Sequence, residues 1–517
     1  MAAYIIEMQS PRIDIVGKPN ILFLMADQMA PTALPFYGGT TAQTPVMSKL
    51  ASEGVVFASA YCASPLCGPS RFSLLSGQLP SRIGAYDNAC EFPADTPTFA
   101  HYMRLGGYRT ICAGKMHFVG PDQLHGFEER LTTDIYPADF SWTPDWTKPE
   151  ARPTWYHSMT SVTTSGPCVR TNQIDFDDEV VFAARRKMFD IARGSDRRPF
   201  LLMASLTHPH DPFVIPQRYW NLYEGKPIPP PSVRIPRDRL DPHSLRLRHV
   251  IGADLGEVTD SQVLSARRAY YAAISYVDEQ FGLILETLRE TELDKHTVIV
   301  LCGDHGEMLG ERGLWYKMTF FEGGARVPMV IRAPSVFTPR VVGQSVSNVD
   351  LLPTLLDLAG LEPGGAAPLD GRSLVPLARG ERITESPVYA EYMGEGALAP
   401  IIMIRRGSLK FIHASGDPDQ LYDLSGDPDE RVNLAADPAW HATTERFMAE
   451  IRQRWDLDRI ARDVLASQRR RRLVAAANAI GVLQPWDYQP RRDASSEYVR
   501  SHLELEAIEA AARFPRG

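Results

Sequence analysis

Four short runs of consecutive apolar residues punctuate the chain: Asn20-Ile21-Leu22-Phe23-Leu24-Met25-Ala26, Pro199-Phe200-Leu201-Leu202-Met203-Ala204, Thr297-Val298-Ile299-Val300-Leu301-Cys302 and Val327-Pro328-Met329-Val330-Ile331. Apolar residues at successive rather than alternate positions mark strands covered on both faces, as in a parallel sheet. Helical patterns separate these runs, the longest over residues 261–292, including Tyr270-Tyr271-Ala272-Ala273-Ile274-Ser275-Tyr276-Val277. Strands alternating with helices predict an α/β fold, a large mixed and mostly parallel sheet sandwiched by helices. In such sheets the polar residues just past the carboxyl ends of strands gather into the active site. Asp27, His208 with His210, and Asp304 with His305 all take that position.

Near Pro363-Gly364-Gly365-Ala366-Ala367-Pro368 the composition becomes loop-like, which divides the chain into a catalytic unit over 1–365 and a smaller α+β unit over 366–517. The second unit has short strand patterns at 388–391, 401–405 and 409–412, then helical ones over 440–480. Its basic run Arg469 to Arg472 reads as a solvated helix face. At 517 residues the chain exceeds what one ordinary core accommodates. A formal net charge of −8 argues against nucleic acid or an anionic membrane as partner and favours a cationic ligand. The six cysteines lack the paired spacing of a disulfide framework or a zinc site. No long apolar run opens the sequence, and none reaches the roughly 18 residues a membrane span needs, so a cytoplasmic location is expected.

The candidate chemistry centres on Cys67-Gly68-Pro69-Ser70-Arg71, followed by Phe72-Ser73-Leu74-Leu75-Ser76-Gly77. Arg71 lies about one helical turn from Cys67, which would set a fixed cation beside it. A thiolate phosphatase loop would need arginine at position 73, which is serine. Asp27-Gln28 and Gly303-Asp304-His305-Gly306-Glu307 offer carboxylates, an amide oxygen and one imidazole. That set suits Ca²⁺, Mg²⁺ or Mn²⁺, with the histidine tilting it toward a transition metal.

The Cys67 run resembles the signature of the sulfatases, members of the alkaline phosphatase superfamily. The resemblance implies an alkaline-phosphatase-like fold and conversion of Cys67 to formylglycine by a maturation enzyme. The hydrate of that aldehyde attacks sulfur with one oxygen and expels sulfate with the other. It also implies one divalent ion, Ca²⁺ or Mn²⁺, held by Asp27, Gln28, Asp304, His305 and the modified Cys67. Gly107-Tyr108-Arg109-Thr110-Ile111-Cys112-Ala113-Gly114-Lys115-Met116-His117 is similar to a second family motif, in which Lys115 holds sulfate oxygens and His117 takes a proton. In Thr207-His208-Pro209-His210-Asp211-Pro212 the pattern selects His210, with His208 left open, to protonate the leaving oxygen beside Lys317.

Leu79-Pro80-Ser81-Arg82-Ile83-Gly84-Ala85-Tyr86-Asp87-Asn88, Cys168-Val169-Arg170-Thr171-Asn172-Gln173 and the tail Pro485-Trp486-Asp487-Tyr488-Gln489-Pro490 with Tyr498-Val499-Arg500 resemble the choline-sulfatase subgroup. The subgroup implies a small cationic sulfate ester as substrate, and its tail a homotetramer. A quaternary ammonium donates no hydrogen bond, so aromatic faces, at ~0.5–2 kcal/mol per cation–π contact, and carboxylates are its available partners. Phe140-Ser141-Trp142-Thr143-Pro144-Asp145-Trp146 with Trp155-Tyr156 concentrates three of the eight tryptophans. Trp142 is the candidate for stacking on the cation, and Glu391 or Glu395 for opposing its charge. Ser158 departs from the subgroup's usual asparagine and leaves room for a different small sulfate ester. Two alternatives stay open: a phosphonate monoester or phosphodiester hydrolase of the same superfamily, and a binding protein that keeps the fold without turnover.

Overall fold

Asn20–Ala26 is a central strand with every residue from Ile21 onward buried, flanked in parallel by Phe200–Leu206 and Thr297–Gly303. The computed structural model describes residues 17–153, 157–483, 485–491, 493–494, 498–499 and 504–515; the expectations placed on Trp155, Tyr156 and Arg500 lie outside them. Successive residues alternate between faces. Leu22, Leu24 and Ala26 enter one core with Leu202, Ala204, Ile299 and Leu301, while Ile21, Phe23 and Met25 enter another with Leu201, Met203, Val298 and Val300. Two covered faces are the reason the runs are continuously apolar. Helices Asn172–Arg193 and Asp260–Glu290 cover the first face, and Cys67–Ser76, Phe99–Leu105 and Leu351–Leu358 the second.

The sheet has eight strands in the order Arg340–Ser347, Val55–Tyr61, Met329–Arg332, Thr297–Gly303, Asn20–Ala26, Phe200–Leu206, Arg109–Gly114 and Glu129–Arg130. Met329–Arg332 alone runs antiparallel, so the sheet is mixed but mostly parallel, as expected. That strand begins one residue after Pro328, which has no N–H to give the ladder. The sequence pattern leaves Val55–Tyr61, Arg109–Gly114 and Arg340–Ser347 unassigned, because serine, threonine, glycine and arginine interrupt their apolar positions.

A second, antiparallel sheet orders Val388–Tyr392, Ile401–Arg406, Leu409–Ala414 and Gln420–Asp423. The expected helical stretch over 440–480 is two helices, His441–Arg454 and Leu457–Asn478, with the Asp456 side chain capping the second through the Arg459 N–H. These elements share a third core, to which Ala63, Leu79 and Val349 of the larger part also contribute. The basic run is not wholly solvated. Arg469, Arg470 and Arg472 are exposed, but Arg471 turns inward and donates to both carboxylate oxygens of Asp87 at 2.7 Å and to Thr143 at 3.1 Å. Among the described residues no helix is long and apolar enough to cross a membrane.

Candidate active site

Asp27 and Asp304 each follow the last residue of neighbouring strands whose ends, Ala26 and Gly303, lie in register. Adjacent strand ends therefore place two carboxylates side by side. Gln28 turns the chain away in the left-handed region, φ 59°, and its N–H donates to Asp304 Oδ1 at 2.9 Å. Cys67 opens a ten-residue helix that is buried throughout and closes on Gly77 at φ 67°. Pro69 sits in its first turn, where no intrahelical N–H is required. The Gly68 N–H donates to Asn88 Oδ1 at 2.8 Å and the Ser70 hydroxyl to the Asp304 carbonyl at 2.5 Å, tying the helix start to the loop after the strand.

Cys67 Sγ lies 3.2 Å from His305 Nε2, 3.6 Å from Lys115 Nζ and 4.0 Å from Asp27 Oδ1. His305 Nε2 is in turn 3.6 Å from Asp27 Oδ1 and from Asp304 Oδ2. Asp27, Cys67, Asp304 and His305 thus converge their donor atoms on one enclosed point, all of them buried, as a cation site requires. Gln28 reaches this group through its backbone. Its side-chain oxygen accepts from Lys317 Nζ at 2.5 Å, and its amide nitrogen donates to Glu307 at 2.5 Å.

Arg71 acts on the carboxylates rather than standing free beside Cys67. Nε donates to Asp304 Oδ2 and Nη2 to Asp27 Oδ2, each at 2.9 Å, while Nη1 reaches Ser205 Oγ at 2.9 Å and the Lys115 carbonyl. Arg71→Met should leave the buried Asp304 Oδ2 without its cation and Asp27 with Lys115 alone, costing about 3–5 kcal/mol. Denaturant unfolding of metal-free protein measures this, and added divalent ion should restore part of the loss. An unchanged midpoint would show that Arg71 is not what holds the pair.

The charges set the protonation states. Burial pushes the Cys67 thiol up, but Lys115, Lys317 and His305 together outweigh it and hold it well below its ordinary range. Burial also works against the Lys115 ammonium, which Asp27 and Cys67 nonetheless keep charged. Burial and repulsion from Asp27 raise Asp304.

The remaining predicted groups line the other side of Cys67. Lys115 also pairs with Asp27, and its ammonium sits 4.2 Å from the centre of the Tyr136 ring. His117, at φ 61°, receives its backbone position from Asp134, and its Nε2 lies 3.1 Å from the Asn88 carbonyl. Lys317 Nζ is 2.9 Å from His210 Nε2. His210 Nδ1 faces the Asp211 carbonyl at 2.7 Å, and the Asp211 carboxylate also meets His157 Nδ1 at 2.9 Å. Of the two histidines left open, His210 is the one in this group. His208 Nδ1 is taken by Asp177 at 2.7 Å, on the helix covering the sheet.

Trp142 stands beside these residues, its ring 5.0 Å from Tyr136 and 6.3 Å from His117. Trp146 instead packs as a structural residue, its indole N–H donating to the Gly394 carbonyl at 3.2 Å. Glu391, expected to oppose the cation's charge, is engaged elsewhere: its carboxylate accepts from the Ser81 N–H and hydroxyl and from the Trp455 indole at 2.6–2.8 Å, so it ties Ser81 to the end of helix His441–Arg454 with both oxygens taken. Glu395 is also buried, yet neither carboxylate oxygen has a hydrogen-bond partner on another of the described residues. Burial pushes it up to about 8, aided by Asp87, and Lys317 and Cys67 both act on its charge. Glu395 also borders a cavity of about 340 Å³ with Phe140, Thr143 and Trp146. Tyr136, Asp134 and Asp211 are the contacts that sequence reasoning passes over. Tyr136 and Asp134 precede the tryptophan cluster with no spacing rule to flag them, and Asp211 adjoins a histidine already selected.

Residues 19–361 match the sulfatase family, and residues 462–514 match the family described as choline sulfatase enzyme C terminal. A choline-sulfatase of Rhizobium meliloti is 46% identical over 510 residues, covering 97% of this chain and 99% of its own. An arylsulfatase of Clostridium perfringens is 26% identical, covering 79% of this chain and 90% of its own. Among solved structures, a phosphonate monoester hydrolase from Silicibacter pomeroyi superposes with a TM-score of 0.68 at 25% identity, over 84% of this chain and 95% of its own.

Proposed function

Because the chain belongs to the sulfatase family, we propose that it hydrolyses choline-O-sulfate, or a small cationic sulfate ester of similar shape, to the alcohol and sulfate. The observation that carries the substrate is Glu395, a buried carboxylate whose oxygens meet no donor of another described residue. A hydrogen-bond donor would satisfy such a group permanently, whereas a quaternary ammonium pairs with it by charge alone. Trp142 supplies an aromatic face beside His117 and Tyr136.

Family membership implies a formylglycine made from Cys67 by a maturation enzyme, whose hydrate supplies the nucleophile, and a divalent ion. Asp27, Asp304 and His305 would hold that ion, which when bound acidifies a hydroxyl and polarises a sulfate oxygen. Two carboxylates and one imidazole converging at a buried point fit it. Around them, Arg71 fixes both carboxylates, and Lys115 and Lys317 present ammonium groups to the sulfate oxygens. His117 accepts a proton on the Cys67 side. His210, held at Nδ1 by the Asp211 carbonyl and 2.9 Å from the Lys317 ammonium at Nε2, delivers a proton to the departing alkoxide, the demanding part of alkyl sulfate cleavage. Residues 1–365 then carry the sulfate chemistry, while 366–517 contribute Glu395 and the tail associated with a homotetramer.

Glu395 gives the reading a pH signature. Its folded pKa of about 8 leaves it protonated at lower pH, and a cation binds only the ionised form. KM for choline-O-sulfate should therefore fall as pH rises, by about tenfold per unit well below 8, and level off above it. The neutral carbon isostere, with a tert-butyl group in place of the trimethylammonium, should show no such trend. Glu395→Gln should flatten the profile, and Trp142→Ala should raise KM for the cation far more than for the isostere. Equal losses on both substrates would make Trp142 a packing residue and move the cation site elsewhere.

A further inference from the structure

We infer that the chain with Cys67 still unconverted is a zinc protein, in which Cys67 Sγ, His305 Nε2 and one oxygen each of Asp27 and Asp304 form a tetrahedral site. The inference concerns the thiol form and stands whatever ester the converted form cleaves. Tetrahedral zinc, with bonds of about 2.0–2.3 Å, sets neighbouring donors roughly 3.3–3.7 Å apart. The structure places sulfur 3.2 Å from the imidazole nitrogen and 4.0 Å from Asp27 Oδ1, and that nitrogen 3.6 Å from an oxygen of each carboxylate. Four of the six donor–donor edges thus lie between 3.2 and 4.0 Å, and all four donors lie within 4.8 Å of one another.

The surrounding bonds fix these donors in the right form. His305 Nδ1 lies 3.1 Å from the Gly306 carbonyl, so the ring carries its proton there and turns the Nε2 lone pair inward. Arg71 bridges Oδ2 of Asp27 and Oδ2 of Asp304, which leaves Asp27 Oδ1 to the metal, while Asp304 Oδ2, the oxygen 3.6 Å from His305 Nε2, would be shared between the guanidinium and the metal through its two lone pairs. One thiolate, one imidazole and two carboxylates are a borderline-soft set, and a coordinating thiolate selects zinc over calcium or magnesium. On binding, the zinc–sulfur and zinc–nitrogen bonds replace the proton between Cys67 Sγ and His305 Nε2, 3.2 Å apart, and that proton leaves to solvent. Conversion of Cys67 removes the only sulfur donor from this group and leaves oxygen in its place. The remaining set favours a hard ion. The state of residue 67 therefore decides which metal the site keeps.

The test uses the full chain made without maturation activity, its Cys67 peptide verified as a thiol, freed of metal and titrated with Co²⁺ as the spectroscopic probe. One equivalent should develop a thiolate-to-cobalt charge-transfer band that one equivalent of Zn²⁺ bleaches. Zn²⁺ should also slow alkylation of Cys67 in this unmutated protein, and Ca²⁺ should not. Cys67→Ser should abolish the band and weaken zinc by at least about tenfold. Cobalt binding without the band would overturn the inference and point to the second cluster of His157, His210 and Asp211. Equal alkylation with and without Zn²⁺ would also overturn it, independently of whether the serine variant folds.

Discussion

Cys67→Ala should lower kcat for choline-O-sulfate by about 10⁴- to 10⁶-fold, the loss expected when a nucleophile is removed from a site whose other parts act only in concert with it. The fold should survive. Cys67 contributes one small buried side chain at a helix start that is separately anchored by Asn88 and by the Asp304 carbonyl. Sulfate release under saturating substrate, with circular dichroism as the control for folding, measures the effect. Because Lys115, Lys317 and His305 remain, KM should change little while kcat collapses. A variant that kept even a hundredth of the activity would assign the nucleophile to another group.

Asp304→Ala should cost at least about 10³-fold in turnover together with the bound divalent ion. This carboxylate has two jobs. Oδ1 accepts from the Gln28 and His305 N–H groups, and Oδ2 from Arg71. Its removal strips a metal-binding charge and frees Arg71 on one side, so metal content and thermal stability should fall together. Asp304→Asn should keep the backbone contacts and much of the stability, yet still bind metal poorly. Stoichiometric metal in the alanine variant would contradict the assignment of Asp304 as a ligand.

Much of this site is legible in the sequence because strand ends are. Asp27 and Asp304 follow apolar runs whose continuity betrays burial on both faces, and parallel neighbours must bring their ends together. Lys115 and His117 also follow a strand, Arg109–Gly114, but one whose polar residues hide it, so only the motif resemblance points to them. What the chain does not disclose is how side chains share partners. Arg71 is visible as a cation one turn from Cys67, but its fork spanning both carboxylates depends on the register of two strands distant in sequence. Glu391 and Glu395 look equivalent as neighbouring acids after a short strand. Only the packing of Trp455 and Ser81 shows that one is consumed structurally and the other left open. Arg471 likewise reads as one member of a basic run, and its burial against Asp87 follows from a helix face fixed by tertiary packing.

The central claim, a sulfatase selective for a small cationic ester, is tested most directly by kcat/KM. The protein is produced with the maturation enzyme and loaded with divalent ion, then assayed on choline-O-sulfate and on an aryl phosphonate monoester. A value for choline-O-sulfate at least about 10³-fold higher is expected, since the cation–π and carboxylate contacts act only on the cation. A preference for the phosphonate monoester, or equal values for the two, would contradict it.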